Sequence, residues 1–156
     1  MVVDALGAPA DPGLAELLGA ERAARVGDAL RDRARRWAAA VAVHGHTGPL
    51  LLAAPDVPAL DVAVARVALE DLAAGCDIVL GVAHDALPYL VAMPRPDDEL
   101  IALAASGFTG GVLQTFGDRG LTLGMLAHHR RLVTAGDARA FALDPLTPPD
   151  LAALLR

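Results

Sequence analysis

The chain has 156 residues, 54% apolar and 21% charged, with a formal net charge of −6, which excludes a disordered chain and suits one packed domain. All 13 basic residues are arginine, so a P-loop lysine, a Schiff-base lysine and a lysine general base are excluded. The single cysteine, Cys76, excludes an internal disulfide and a cysteine zinc centre, and the lack of a wide basic face argues against nucleic acid as a partner.

Residues 1–6 read as a short strand, broken by Gly7, Pro9, Pro12 and Gly13 in a loop. The opening Met1-Val2-Val3-Asp4 lacks the basic region and apolar core of a signal peptide, and no apolar run reaches membrane-spanning length. The expected location is the cytoplasm, with no membrane partner. Residues 14–40 carry helical periodicity, with Leu14, Leu17 and Leu18 on one face and Val26, Leu30 and Trp37 further along. Residues 41–43 read as a short strand, and His44-Gly45-His46-Thr47-Gly48 as a turn.

Residues 50–54 form a continuous apolar run, as in a strand covered on both faces. A crossover helix is expected over 58–74, where Val62, Ala65, Leu69 and Leu72 recur at helical spacing and Gly75 is the stop. Residues 78–82 give the next buried strand; a β-α-β unit of this kind is almost always right-handed. A strand over 87–93 and a turn at Pro94-Arg95-Pro96 follow. Helices are expected over 97–105 and 110–119, and a strand over 121–126. Residues 127–140 fit no single pattern. A last strand is expected over 141–143, then a final helix through Arg156 capped by Thr147, with Pro148 at its first position.

Two aspartates carry the functional reading. Asp56 and Asp85 each follow a buried strand, and ligands of open α/β sheets bind beyond the carboxyl ends of their parallel strands. Asp56 sits between Pro55 and Pro58, where a metal ligand would be held rigidly; spacing alone favours the N-cap of the following helix. Asp85 suits a second ligand or a general base, or a turn acid accepting backbone N–H bonds. His44, His46 and His84, with the two carboxylates, would suit a transition metal, although a turn explains the His-Gly-His spacing as well. His128-His129-Arg130-Arg131 reads as a solvated or anion-touching surface. Gly110-Gly111 after Thr109 would present amides to a phosphate or simply open a helix.

These stretches resemble the DUF2064 family, glycosyltransferase-like proteins with a GT-A, nucleotide-diphospho-sugar transferase fold, related to molybdenum-cofactor and phospholactate guanylyltransferases. The stretch Leu51-Leu52-Ala53-Ala54-Pro55-Asp56-Val57-Pro58 resembles the family's Gly-Thr-Asp-Cys-Pro. The run from Val79-Leu80-Gly81 through Asp85 to Tyr89-Leu90 is similar to its Val-Leu-Gly-Pro followed by Asp-Gly-Gly-Tyr-Tyr-Leu. Leu143-Asp144-Pro145-Leu146-Thr147-Pro148-Pro149-Asp150-Leu151 is similar to Asp-Val-Asp-Thr-Pro-Glu-Asp-Leu, and Ala8-Pro9 with Pro12-Gly13 fits the opening loop.

The resemblance implies one GT-A-like domain over residues 1–156, an α/β three-layer sandwich with a mostly parallel central sheet. It implies a bound nucleotide or nucleotide-sugar and Mg²⁺ or Mn²⁺. By position, Asp56 and Asp144 would be the metal residues, Asp85 the catalytic residue on the acceptor side, and Ala8, Pro9 and Gly13 the loop against the cofactor. The family's basic Lys-Thr-Arg-Leu loop is here Leu14-Ala15-Glu16-Leu17, so phosphate charge would be met by the metal or by amides. Its Gly-Gly is Ala86-Leu87, and the second acid of Asp-Val-Asp-Thr is Leu146.

The expected function is a glycosyltransferase-like or nucleotidyltransferase-like protein that binds a nucleotide diphosphate-sugar or nucleoside triphosphate with a divalent cation. The alternative is a catalytically degenerate relative acting as a ligand- or protein-binding module; a His/Asp metal hydrolase is a third reading. A homo-oligomer is compatible with all of them.

Overall fold

The computed structural model describes residues 2–4, 6, 11–43 and 48–156, so the expectations for Ala8, Pro9, His44 and His46 lie outside the described residues. Among the described residues, five strands form one sheet: β1 (Val2–Asp4), β2 (Leu50–Ala53), β3 (Ile78–Val82), β4 (Pro88–Met93) and β5 (Leu123–Met125), in the order β1-β2-β4-β3-β5. β1 pairs with β2, and β3 with β5, in parallel; β4 lies antiparallel to both β2 and β3. The sheet is therefore mixed, which corrects the expected mostly parallel sheet. The cause is the short connection between β3 and β4. Parallel strands need a crossover of a dozen or more residues, whereas residues 83–87 make a hairpin, with Ala83 N donating to Leu87 O at 2.9 Å.

Side chains alternate between two cores, as the period of a strand requires. Leu51, Ala53, Val79, Leu90 and Ala92 face α2 (Ala20–Val43) and α3 (Val62–Ala73), packing with Trp37, Val41, Ala65 and Leu69. Leu50, Leu52, Ile78, Leu80, Val91 and Met93 face α4 (Asp98–Ala105) and α5 (Gly110–Asp118), packing with Leu100, Ala104, Val112 and Phe116. Helices thus cover the sheet on both faces. A third cluster, without strands, joins α1 (Pro12–Leu18) and α2 to α6 (Ala135–Leu143) and α7 (Pro149–Leu155) through Leu14, Val26, Leu30, Phe141 and Leu151.

Several expected elements shift for local reasons. The helix over 14–40 is two helices, because Gly19 takes φ +80° and its N–H closes α1 on Ala15 O. Residues 41–43 continue α2 instead of forming a strand: Val41 lies one turn beyond Trp37 and buries in the same core. Residues 141–143 end α6 rather than form a strand, since Phe141 and Ala138 share the α6 face that packs in the third cluster. α3 begins at Val62, with Asp61 as its N-cap, so Asp56 does not cap it. Thr147 does not cap α7; its hydroxyl donates to Phe141 O at 2.7 Å.

α6 starts on a reciprocal cap in which the Thr134 hydroxyl accepts from Asp137 N and Asp137 accepts from Thr134 N. Burial alone would raise the Asp137 carboxyl, but hydrogen bonds from Thr134, Val133 and Arg130 outweigh it and hold the group below the usual 3.8. A depressed carboxylate stabilises the fold above its ordinary pKa, and that contribution fades as pH falls below about 4. Thr134→Ala is expected to cost about 1 kcal/mol in urea unfolding at pH 7. Asp137→Asn should flatten the loss of stability between pH 4 and pH 2, read from thermal melts; an unchanged acid limb would refute the assignment.

Candidate functional site

The chain leaves β2 at Ala53, and Ala54 N donates to Tyr89 O at 2.8 Å before Pro55 turns it. Asp56 follows, with its residue only 7% exposed. Its carboxylate is gripped in two places by Arg131, with Nε donating to Oδ1 at 2.9 Å and Nη2 to Oδ2 at 3.0 Å. Arg131 Nη2 also donates to Leu6 O, and Leu132 N donates to Asp56 O at 2.7 Å. One guanidinium therefore ties together the segments that follow β1, β2 and β5. This planar fork is the geometry in which arginine, unlike lysine, matches a carboxylate.

Asp85 lies in the β3–β4 hairpin. Ala86 takes φ +64°, and Asp85 Oδ1 accepts from Leu87 N at 3.0 Å, as a turn acid does. Its other oxygen, Oδ2, lies 3.9 Å from Arg131 Nη1. The hairpin is fastened on both sides: Phe108 N donates to Ala86 O at 2.7 Å, and His84 N donates to His129 O at 3.2 Å. Both aspartates thus reach one guanidinium at the carboxyl ends of β2, β3 and β5. Asp56 is buried, whereas the Asp85 side chain is 44% exposed and available to solvent.

The assignment of 128–131 to a solvated surface needs correcting. His128 and Arg130 are exposed, but His129 is half-buried and Arg131 buried. The segment is extended and bridges Ala83 at His129, so alternate residues point inward. Asp56 lies 75 positions away in the chain, and that pairing leaves no local pattern.

Beside this cluster, a cleft of about 590 Å³ lies between α3, the segment after β5 and the loop after Asp56. Val64, Val67, Met125, Leu126, Pro58 and Pro148 supply apolar walls; Arg33, Asp61 and His129 supply polar groups. Arg33 donates to Asp150 and to Pro58 O, while its buried Nε has no acceptor among the described residues. Behind the cleft, the Tyr89 ring packs edge-on to His129 with centroids 5.1 Å apart, and its hydroxyl donates to Ala127 O at 2.8 Å. Burial pushes the Tyr89 hydroxyl up to about 12 and lowers His129, whose imidazole is therefore neutral at pH 7.

Tyr89 is the only tyrosine, so its ionisation is directly visible in the near ultraviolet. A group raised in the folded state stabilises fully below its ordinary pKa of 10.0, and that contribution is lost as pH rises through 12. The phenolate absorbance of the folded chain is expected to rise about two units above that of the urea-unfolded chain. A midpoint near 10 in both states would contradict the buried position.

The fold is shared with a solved protein. The chain is similar to the crystal structure of a "putative nucleotide-diphospho-sugar transferase" from Desulfovibrio desulfuricans G20, with a TM-score of 0.55 and 18% identity. The match covers 79% of this chain and 57% of that one, so the chain spans little more than half of that protein's length. No protein-family model matches the sequence, and no curated protein matches it. At that identity the likeness is one of fold.

Within this fold, the expected site residues fall in different places. Gly13 lies in the first turn of α1, where its N–H donates to Asp11 Oδ1 at 2.9 Å. Leu14, which opens the 14–17 stretch, is buried in the third cluster. Asp144 ends α6, with Oδ1 accepting from Leu146 N at 2.9 Å, so it shapes the turn into α7. Gly110-Gly111 opens α5 behind a Thr109 cap. Among the described residues, no group of three His, Cys, Asp or Glu is arranged to hold a metal ion. Nor do the donors at Asp56 fit one: both oxygens already accept from Arg131, and a divalent cation there would have to displace a buried guanidinium. No described helix is long and apolar enough to cross a membrane.

Proposed function

We propose that the chain binds a nucleotide diphosphate-sugar or nucleoside triphosphate at the carboxyl ends of β2, β3 and β5, as a glycosyltransferase-like or nucleotidyltransferase-like protein of the DUF2064 kind. The observation that carries this reading is the convergence of Asp56, Asp85 and Arg131 on one edge of a sheet whose fold resembles the Desulfovibrio protein. Arg131, buried and shared between Asp56 and Asp85, would hold the two acids in place, and phosphate charge would be met by backbone amides of this edge. Asp85 would orient an acceptor hydroxyl and take its proton. Mg²⁺ or Mn²⁺, expected from the family resemblance at Asp56 and Asp144, has no step in this account.

A second reading is a relative that binds ligand without transfer. It is favoured by the Asp56–Arg131 pair, which holds the acid expected to bind metal, and by the apolar helix that replaces the family's basic loop.

Calorimetry with UDP-glucose, GTP and CTP, in Mg²⁺, in Mn²⁺ and in EDTA, separates these readings. Transferase chemistry predicts micromolar binding that persists in EDTA, and turnover abolished in Asp85→Asn with binding kept. Binding without turnover in the wild type supports the second reading. No binding of any of the three under any condition would remove both.

A further inference from the structure

We propose that the cleft between α3 and the segment after β5 is a separate site for a small, mainly apolar molecule carrying one hydroxyl, held through the His129 imidazole. The ligand class follows from the lining. Val67 and Met125 are each 42% exposed, and Ala63 and Val64 continue the same wall on α3. Large side chains left in water around a concavity gain by covering one another with an apolar guest. At about 590 Å³ the cleft falls in the range that accepts a whole small molecule.

The polar groups narrow the choice. Arg33 lines the cleft, but its charge is met by Asp150, so among the described residues the cleft offers no uncompensated cation to an anion. Asp61 also lines the cleft as an acid, which disfavours a carboxylate or phosphate guest. His129 is neutral, because burial lowers it, and so presents one donor and one acceptor. A hydroxyl can pair with either ring nitrogen, donating to the bare one or accepting from the one that carries the proton. Its oxygen would also approach a rim where Arg33 Nε lacks an acceptor among the described residues.

The backbone of His129 is bridged to Ala83 and accepts from His84 N, one residue before Asp85. The binding claim stands without the transferase reading, since Asp85 is not among the residues that line this cleft.

The test uses 2-naphthol and follows its intrinsic fluorescence, with 2-methoxynaphthalene as the partner probe that cannot donate. The wild type is expected to bind 2-naphthol saturably at one site, and the methyl ether about tenfold more weakly, the size of one lost hydrogen bond. Val67→Trp changes an exposed helix position and fills the cleft, so it should abolish binding while circular dichroism stays native. His129→Ala should bind both probes equally. No saturable binding by the wild type, or unchanged binding by a folded Val67→Trp, would overturn the proposal. Calorimetry with nucleotides reports on the sheet edge alone: naphthol binding without nucleotide binding keeps this cleft and removes the transferase reading, and nucleotide binding without naphthol binding does the reverse.

Discussion

Arg131→Met is expected to lower the free energy of unfolding by about 3–5 kcal/mol. The change would appear as a lower urea midpoint at an unchanged slope. The size comes from what is left behind. Asp56 is buried with both oxygens facing the guanidinium, and Met would leave its charge in a poorly solvated place without that counter-charge. Two backbone connections weaken with it, since Arg131 Nη2 also holds Leu6 O and the Arg131–Leu132 segment sits on Asp56 O. Domains of this length are stable by about 5–15 kcal/mol, so the variant should be marginal at 37 °C. Pairing it with Asp56→Leu should recover most of the loss, because replacing both members of a buried ion pair by apolar groups is often neutral. Asp85→Ala should cost no more than about 1 kcal/mol, given a 3.9 Å contact to a well-exposed carboxylate. A loss below 1 kcal/mol in Arg131→Met would mean the pair does not organise the loops.

Gly81→Ala is expected to cost about 2–4 kcal/mol, although it adds one methyl group. A Cβ at Gly81 would lie 2.4 Å from Tyr89 Cζ and 2.7 Å from its hydroxyl oxygen. The ring is stiff and fully buried, so either it or the strand must shift to admit the methyl group. Overpacking of this kind costs about 1–3 kcal/mol. Losing the hydrogen bond from the Tyr89 hydroxyl to Ala127 O adds about 1 kcal/mol. Tyr89→Leu in the same chain should be less costly in the Gly81→Ala background than in the wild type, a coupling that a double-mutant cycle reads directly. In Gly81→Ala alone, the tyrosine titration should fall back toward 10.0, since a displaced ring regains water. Wild-type stability with an unshifted titration would contradict the close contact.

The sequence shows most of the elements because they are spelled locally. β2, β3 and β4 are apolar runs bounded by turn residues, and α4 and α5 begin on Asp97 and Thr109. Residues 41–43 and 141–143 mislead because short apolar runs suit a strand or the end of a helix equally, and tertiary packing against Trp37 and Ala138 decides. The direction of β4 was legible in the shortness of the 83–87 connection. The placing of Asp56 and Asp85 after buried strands was legible in the same local way. Arg131 was not: it is one of two adjacent arginines in an irregular stretch, and only long-range pairing buries one and exposes the other.

The most direct test of the sheet-edge site is a map of where a nucleotide lands. In ¹H–¹⁵N spectra of the labelled chain, GTP or UDP-glucose added in EDTA is expected to shift amides of residues 54, 56, 57, 83–87 and 130–132, with Asp85→Asn keeping the pattern. Shifts confined to other surfaces, or none at millimolar nucleotide, would contradict binding at the Asp56–Arg131–Asp85 edge.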